Sequence, residues 1–139
     1  MTGGAALPTP QPTVNPETRA FWAAAAEHRL AVPVCRSCQE AYWYPRVKCP
    51  RCHSMDTTSV DASGDGAIYS YTVVRRCSGE YSAATPYVLA LVELAEGPRI
   101  LTNVVDWEDG ELTIGAPVRL TFHDTAGGTA LPRFRLVRE

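Results

Sequence analysis

The stretch Cys35–Cys52, CRSCQEAYWYPRVKCPRC, decides the fold of this 139-residue chain and contains four of its five cysteines. These cysteines form two C-x2-C pairs, Cys35/Cys38 and Cys49/Cys52, separated by ten residues. A two-residue gap lets a tight turn direct two sulfurs at one ion, and two such turns complete a tetrahedral four-cysteine site. We therefore predict that the four cysteines bind one structural Zn²⁺ ion, with a rubredoxin-type iron site as the alternative.

The predicted metal site is structural, because four thiolates leave no open position for water or substrate. The remaining cysteine, Cys77, stands alone between Arg76 and Ser78. A neighbouring arginine can lower a thiol pKa, but the sequence offers Cys77 no partner base. The adjacent His123 and Asp124 would point to opposite faces of a strand. The sequence also lacks the common nucleophile, phosphate-loop, dinucleotide and zinc-protease motifs, so we expect no catalytic residue in this chain.

The composition indicates a soluble globular protein, with 45% hydrophobic and 20% charged residues. Thirteen basic residues stand against 15 acidic ones, a net charge of −2 that gives no general attraction for nucleic acid or anionic lipid. No stretch is long and apolar enough to span a membrane. Residues 1–15 lack the basic start and apolar run of a secretory signal. We therefore expect a cytoplasmic protein with a flexible leader at residues 1–15.

An N-terminal helix is predicted at residues 16–31. Asn15 can cap it, Pro16 suits its first position, and its spacing extends to about Arg29, with Phe21 and Trp22 on one side. The zinc ribbon is expected at residues 32–62, with short strands before the first cysteine pair and near residues 57–61.

Residues 63–139 are predicted to form a small antiparallel barrel. Alternating and β-branched runs, interrupted by glycine and proline, predict strands with no intervening helix. The predicted strands are Ala67–Arg76, Tyr87–Leu94, Arg99–Val105, Glu111–Ile114, Val118–His123 and Arg133–Val137. The fold class is therefore mainly β: an N-terminal helix, a zinc ribbon and a five-stranded OB-fold barrel.

The loop between the cysteine pairs is unusually aromatic. Tyr42, Trp43 and Tyr44 either form the small core of the ribbon or present a contact surface, and the sequence leaves both interpretations open. Together with Phe21 and Trp22 they are the candidate partner-binding residues.

The order of these parts resembles the DUF35 OB-fold proteins with a rubredoxin-like zinc ribbon. The resemblance covers about residues 16–137, nearly the whole chain. It rests on Cys35–Cys38, Pro45-Arg46, Cys49–Cys52, Gly64–Val74, Pro86–Val88, Val92–Leu94, Glu96–Arg99, Ile114–Val118 and Pro132–Phe134. One departure is Gln39, because the family often has glycine directly after the first cysteine pair.

This resemblance implies a companion role beside thiolase-superfamily enzymes, including thiolases and lipid-transfer-protein-like aldolases. The chain would be a non-catalytic subunit of a hetero-oligomer that supports acyl-CoA chemistry, with steroid-CoA side chains as one substrate class. Arg75 and Arg76, at a predicted strand end, are the candidate contacts for the phosphates of coenzyme A.

Two other functions remain open from sequence alone. OB barrels also bind single-stranded nucleic acid, and stacking platforms are available at Tyr42, Trp43, Tyr44, Tyr69 and Tyr71. Against this hypothesis stands a calculated pI of 5.9. The third hypothesis is a standalone acyl-CoA-binding protein or weak hydrolase that uses Cys77.

Overall fold

The structure is a computed structural model that describes residues 6–138. Its elements are a helix and seven strands within these residues: α1 (Arg19–Ala26), β1 (Ala31–Cys35), β2 (Thr57–Asp61), β3 (Asp65–Val74), β4 (Tyr87–Leu94), β5 (Arg99–Val105), β6 (Pro117–Asp124) and β7 (Ala130–Leu136). A short 3-10 helix, Ser82–Ala84, precedes β4. Within the described part of the chain, no helix has the length and apolar character that crossing a membrane requires.

The N-terminal helix is shorter than its sequence pattern predicts. Asn15 Oδ1 accepts the backbone N–H groups of Glu17 and Thr18, both at 3.0 Å, which organises the turn before α1. The helix ends at Ala26 because His28 takes a left-handed conformation with φ of 60°. The backbone N–H of His28 then donates to a carbonyl of the last turn, as is usual at such a helix end. The helical pattern up to Arg29 therefore overshoots the observed end.

Strands β1 and β2 form a separate antiparallel ribbon. Their register runs from Ala31 opposite Asp61 to Cys35 opposite Thr57. The first cysteine of the C-x2-C pairs therefore lies at the last paired position of β1. This pairing brings the chain segments before and after the cysteine loop together at one end.

The five strands after the ribbon close into a barrel in the described residues, in the order β3-β4-β5-β7-β6. Numbered from the first barrel strand, this order is 1-2-3-5-4, which confirms the predicted OB-fold barrel. The barrel is mixed rather than wholly antiparallel, because β5 and β7 run parallel where Val104 lies opposite Phe134. A short parallel contact is thus what closes the predicted antiparallel sheet.

The prediction of a strand at Glu111–Ile114 is wrong, because this segment is a loop between β5 and β6. The Glu111 carboxylate accepts hydrogen bonds from the Arg138 guanidinium at 2.8 Å and from the backbone N–H of Glu108. The Ile114 side chain is exposed. Hydrogen bonds of the Glu111 side chain to Glu108 and Arg138 therefore hold this loop, where a strand would have backbone bonds to a neighbouring strand.

The core of the barrel extends into the helix and the ribbon. Strand β4 alternates outward and buried positions, with Val88, Ala90 and Val92 facing inward. The same buried cluster includes Phe21 from α1 and Leu30 directly before β1. The ribbon and helix are therefore packed on the barrel through shared apolar contacts.

Residues 6–15 lie along the barrel without regular secondary structure. The Pro8 carbonyl accepts a 2.7 Å hydrogen bond from Arg133 Nη2, and Gln11 Oε1 accepts one of 2.7 Å from the Thr125 hydroxyl. The flexibility predicted for residues 1–15 stays a prediction, and residues 1–5 lie outside the described residues. The described part is in contact with β7 and with the loop between β6 and β7.

Gly66, at the start of β3, is a position where an added side chain would force its neighbours to shift. A Cβ there would lie 2.8 Å from Val92 Cγ1 and 2.9 Å from the Glu93 carbonyl oxygen. We expect Gly66→Ala to lower the free energy of unfolding by ~1–3 kcal/mol, because the two strands would have to separate. Denaturant unfolding of the metal-loaded protein measures this. Ser70→Ala, an exposed change on the same strand, should stay within ~0.5 kcal/mol, and equal effects would contradict the steric argument.

Candidate metal centre and docking surface

The four cysteines predicted from spacing lie together in the structure. All four sulfur atoms are within 4.8 Å of one another. The Sγ atoms of Cys35 and Cys52 are 3.5 Å apart, and those of Cys38 and Cys49 are 3.8 Å apart. Tetrahedral Zn²⁺ with bonds of about 2.3 Å would place its sulfur ligands about 3.8 Å apart. The donor set therefore fits a four-coordinate metal ion and leaves it no free position.

The two cysteine turns have the same backbone pattern. The N–H of Cys35 donates to the Glu40 carbonyl at 3.0 Å, and the N–H of Cys49 donates to the Ser54 carbonyl at 2.9 Å. In both turns the acceptor lies five residues after the first cysteine. This repeated geometry directs the paired sulfurs of each turn to the same side.

Gln39 and His53 each follow the second cysteine of a pair, and both take left-handed conformations with φ of 62° and 67°. The turn after Cys38 therefore forms although Gln39 stands where the resembling family often has glycine. A residue with a Cβ is strained in this region, and glycine is not.

We expect Gln39→Gly to stabilise the metal-loaded protein by ~0.5–1 kcal/mol. The variant relieves left-handed strain at residue 39, and part of the gain is lost because glycine has more freedom in the unfolded chain. Thermal unfolding with bound metal measures the change. Gln39→Ala is the matched control, because alanine keeps the Cβ and should give no comparable gain. Equal stability of the two variants would show that the strain is negligible.

Backbone dipoles prepare two of the four sulfurs for the charged state. The N–H of Cys38 directed at Cys35 lowers the pKa of the Cys35 thiol to about 6, and the N–H of Cys52 lowers the pKa of Cys49. At Cys38 the N–H of Glu40 has the same tendency. Burial and the neighbouring sulfurs outweigh it, however, and raise the pKa of Cys38 to about 12. Four thiolates this close therefore need a cation to be charged together.

The aromatic loop divides between core and surface. Tyr42 is only 5% exposed, and its hydroxyl donates to the Arg46 carbonyl at 2.9 Å, so it supplies the core of the ribbon. Tyr44 is 42% exposed. Phe21 is buried between helix and barrel. Of the five candidate partner-binding residues, Phe21 and Tyr42 are therefore packed inside the isolated chain.

The remaining aromatic side chains join the helix to the cysteine loop. The Phe21 ring packs edge-on against Trp22 at a centroid distance of 4.8 Å and against Trp43 at 5.2 Å. Trp43 in turn packs edge-on against Tyr44 at 5.5 Å. This chain of rings continues from the buried core to the surface.

Phe21, Trp22, Trp43 and Tyr44 line an open groove of about 460 Å³, which we call the aromatic groove. Leu101 of β5 also lines it and is 62% exposed. The sequence analysis missed Leu101, although it occupies an outward position in the alternation of β5 and could have been identified as an exposed apolar side chain. Tyr42 lies outside this groove and lines two other cavities.

The candidate coenzyme A contacts lie elsewhere. Arg75 and Arg76 are exposed and directly follow the end of β3. Neither is among the residues that line the aromatic groove. The two arginines are therefore exposed and are not part of the aromatic groove.

Cys77 has no base beside it in the described part of the chain. Its Sγ is 4.0 Å from the Tyr87 hydroxyl. The pKa of that phenol is raised, first by burial and second by its contact with Cys77. A protonated phenol cannot take the proton of a thiol. The arrangement therefore does not favour the hydrolase hypothesis.

Comparison with known protein families matches both parts of the chain. Residues 22–57 match the family described as the ChsH2 rubredoxin-like zinc ribbon domain. Residues 59–123 match the ChsH2 C-terminal OB-fold domain. The division between the two matches falls within β2. A solved structure described as an Ltp2-ChsH2(DUF35) aldolase is similar with a TM-score of 0.81 and 36% sequence identity, over 91% of this chain and 98% of that chain.

Curated relatives fall into two groups. The chain is 34% identical over 96 residues to a DUF35 domain-containing scaffold protein of Methanothermobacter thermautotrophicus, covering 68% of this chain and 72% of that protein. It is 36% identical over 126 residues to a probable enoyl-CoA hydratase alpha subunit of Thermomonospora curvata, covering 91% of this chain.

It is also 30% identical over 115 residues, 82% of this chain, to the 3-oxo-4,17-pregnadiene-20-carboxyl-CoA hydratase alpha subunit of Mycobacterium tuberculosis. The chain spans only 39% and 36% of the lengths of these two alpha subunits.

Proposed function

Because this chain belongs to the DUF35 family, with a ChsH2-type zinc ribbon followed by a ChsH2-type OB-fold domain, we propose that it is a non-catalytic accessory subunit of a thiolase-superfamily enzyme. In this role it binds the enzyme, a thiolase or retro-aldolase, in a hetero-oligomer in the cytoplasm and supports its acyl-CoA chemistry. The observation that carries the proposal is the likeness to the Ltp2-ChsH2(DUF35) aldolase chain over almost the full length of both chains.

The metal centre supports a structural role in this proposal. A closed site of four cysteine thiolates holding Zn²⁺ offers no coordination position to a substrate. It would instead connect the two cysteine turns and hold the aromatic loop in a fixed position against α1. In this proposal the ion stiffens the surface that meets the enzyme.

The proposed docking surface consists of Trp22, Trp43 and Tyr44 around the aromatic groove, together with Leu101. Aromatic side chains at the centre of an interface commonly carry a large share of the binding energy. Phe21 and Tyr42 belong to this surface indirectly, because they pack beneath it. The aromatic groove is open and lined largely by aromatic and aliphatic side chains, and its exposed rim is the part that we propose for contact with an enzyme.

The substrate class proposed for the complex is an acyl-CoA thioester, with steroid-CoA side chains as one specific case. Support comes from the names of the two hydratase alpha subunits, both of which refer to CoA thioesters. Arg75 and Arg76 are proposed as contacts for the CoA phosphates, since exposed guanidinium groups pair readily with phosphate oxygens.

Affinity purification of the tagged chain from its native cells tests the accessory role. We expect a thiolase-superfamily enzyme to co-purify and to be identified by mass spectrometry. The recovered complex should turn over an acyl-CoA substrate, whereas the isolated metal-loaded chain should not. Recovery of no such enzyme, or turnover by the isolated chain, would reject the proposal.

A further inference from the structure

Arg133 of β7 is a buried cation without a buried anion. It is only 2% exposed, and none of the ion pairs found among residues 6–138 includes it. Its hydrogen-bond acceptors are uncharged: the Pro8 carbonyl at 2.7 Å, the Tyr81 hydroxyl at 3.1 Å and His123 Nδ1 at 2.9 Å. A buried charge is costly unless an opposite charge compensates it. The accessory role described above gives Arg133 no task.

Arg133 and Tyr81 both line the aromatic groove. The other described residues that line it are uncharged, so Arg133 is the groove's single charged group. The indole N–H of Trp22, another lining residue, is buried and has no acceptor among the described residues. The groove therefore combines an apolar body with one cation, Arg133, and one donor without an acceptor in residues 6–138, the Trp22 indole N–H.

The N-terminal segment 6–15 already occupies this cation, so a ligand would have to compete with it. Pro8 supplies a carbonyl to Arg133 Nη2, while Pro10, Gln11 and Pro12 form part of the groove wall. A carboxylate oxygen in the position of the Pro8 carbonyl would exchange a neutral acceptor for a charged one. Such charge-assisted bonds are shorter and about twice as strong as neutral ones.

We propose that the aromatic groove binds a carboxylate with an apolar body, and that Arg133 holds the carboxylate in place of the Pro8 carbonyl. The rings of Trp22, Trp43 and Tyr44 enclose the apolar part. One cation matches one negative charge, so a phosphate dianion would bring an uncompensated second charge into the groove. The volume of about 460 Å³ lies in the range of small-molecule sites, about 300–1,000 Å³.

Titration of the ¹⁵N-labelled, metal-loaded full chain with decanoate tests the site. The indole N–H resonances of Trp22 and Trp43 should shift and saturate, whereas that of Trp107, which lines a different cavity, should move less. Decanamide, which has the same chain without the charge, should bind about tenfold more weakly, because it cannot make the charge-assisted bond.

Arg133→Gln should abolish the preference for decanoate over decanamide. The matched control is Arg135→Gln on the same strand, an exposed arginine that donates to Thr121 Oγ1 at 3.1 Å, and it should keep the preference. Equal binding of the two ligands by the unmodified chain would overturn the proposal, and this comparison holds even if Arg133→Gln does not fold. Equal losses in the two arginine variants would overturn it as well.

The other occupant of the groove would be a protein segment. An apolar peptide with one glutamate that binds through Arg133, with no binding of decanoate, would assign the groove to such a segment and reject the small-molecule site. All these measurements use the isolated chain. A negative result in them would therefore reject only the carboxylate site. The accessory role is tested separately, by recovery of an enzyme.

Discussion

Cys49→Ser is expected to remove the bound Zn²⁺ and to unfold the ribbon between Cys35 and Cys52. Cys49 is fully buried and its sulfur accepts the backbone N–H of Arg51 at 3.4 Å. A serine hydroxyl in its place is not among the thiolate, imidazole and carboxylate ligands that Zn²⁺ takes in structural sites. Structural Zn²⁺ contributes about 10–16 kcal/mol of apparent binding free energy in zinc-finger peptides, and this energy is also folding energy. Metal analysis and amide spectra of the purified variant measure the loss.

The unfolded ribbon should also release the enzyme partner, because the aromatic loop lies between the two cysteine pairs. Cys77→Ser is the matched control, since Cys77 is outside the sulfur cluster found in the described residues. It should retain the metal, the fold and the partner. Cys49→Ser protein that keeps a full complement of metal, or that assembles normally after verified metal loss, would contradict the structural role of the ion.

Tyr44→Ala is expected to weaken binding of the enzyme partner by about 10–100-fold, as truncation of an aromatic hot-spot residue commonly does. Tyr44 is the most exposed of the aromatic residues that line the groove, and it packs edge-on against Trp43. Its loss should leave the barrel core intact, so thermal stability should change little. The dissociation constant of the complex, measured with the enzyme recovered by co-purification, gives the result.

Ile114→Ala is the control for this measurement. Ile114 is a large exposed apolar side chain in the loop before β6 and does not line the aromatic groove. It should leave the affinity within about twofold of the unmodified chain. An unchanged affinity in Tyr44→Ala, or equal losses of affinity in the two variants, would show that the docking surface does not include the aromatic groove.

The metal centre and most of the barrel could be predicted from local sequence because their signals are local. A C-x2-C turn brings its two sulfurs together by backbone geometry alone, and two such turns near each other suffice for a tetrahedral site. Strand β4 is equally predictable from its sequence, because buried and outward positions alternate along Tyr87–Leu94. The observed strand has the predicted bounds.

Tertiary contacts decided the features that one segment cannot specify. Glu111–Ile114 has strand-like residues, yet bonding to Arg138 and to its own loop takes the place of a strand neighbour. Tyr42 and Tyr44 are chemically alike and two positions apart. Only the packing of the loop buries the first and exposes the second.

The clearest case is Arg133. Nothing in its local sequence distinguishes it from the other arginines of the chain, which are exposed. Its burial depends on Pro8, 125 residues earlier, and on Tyr81 from another loop. No local pattern contains such a contact. The sequence alone therefore determined the four candidate metal ligands and the approximate places of the five barrel strands along the chain, because both follow from neighbouring residues. The closure of the barrel, the exposed aromatic groove and the buried cation were decided by the tertiary structure, because each depends on residues far apart in the chain.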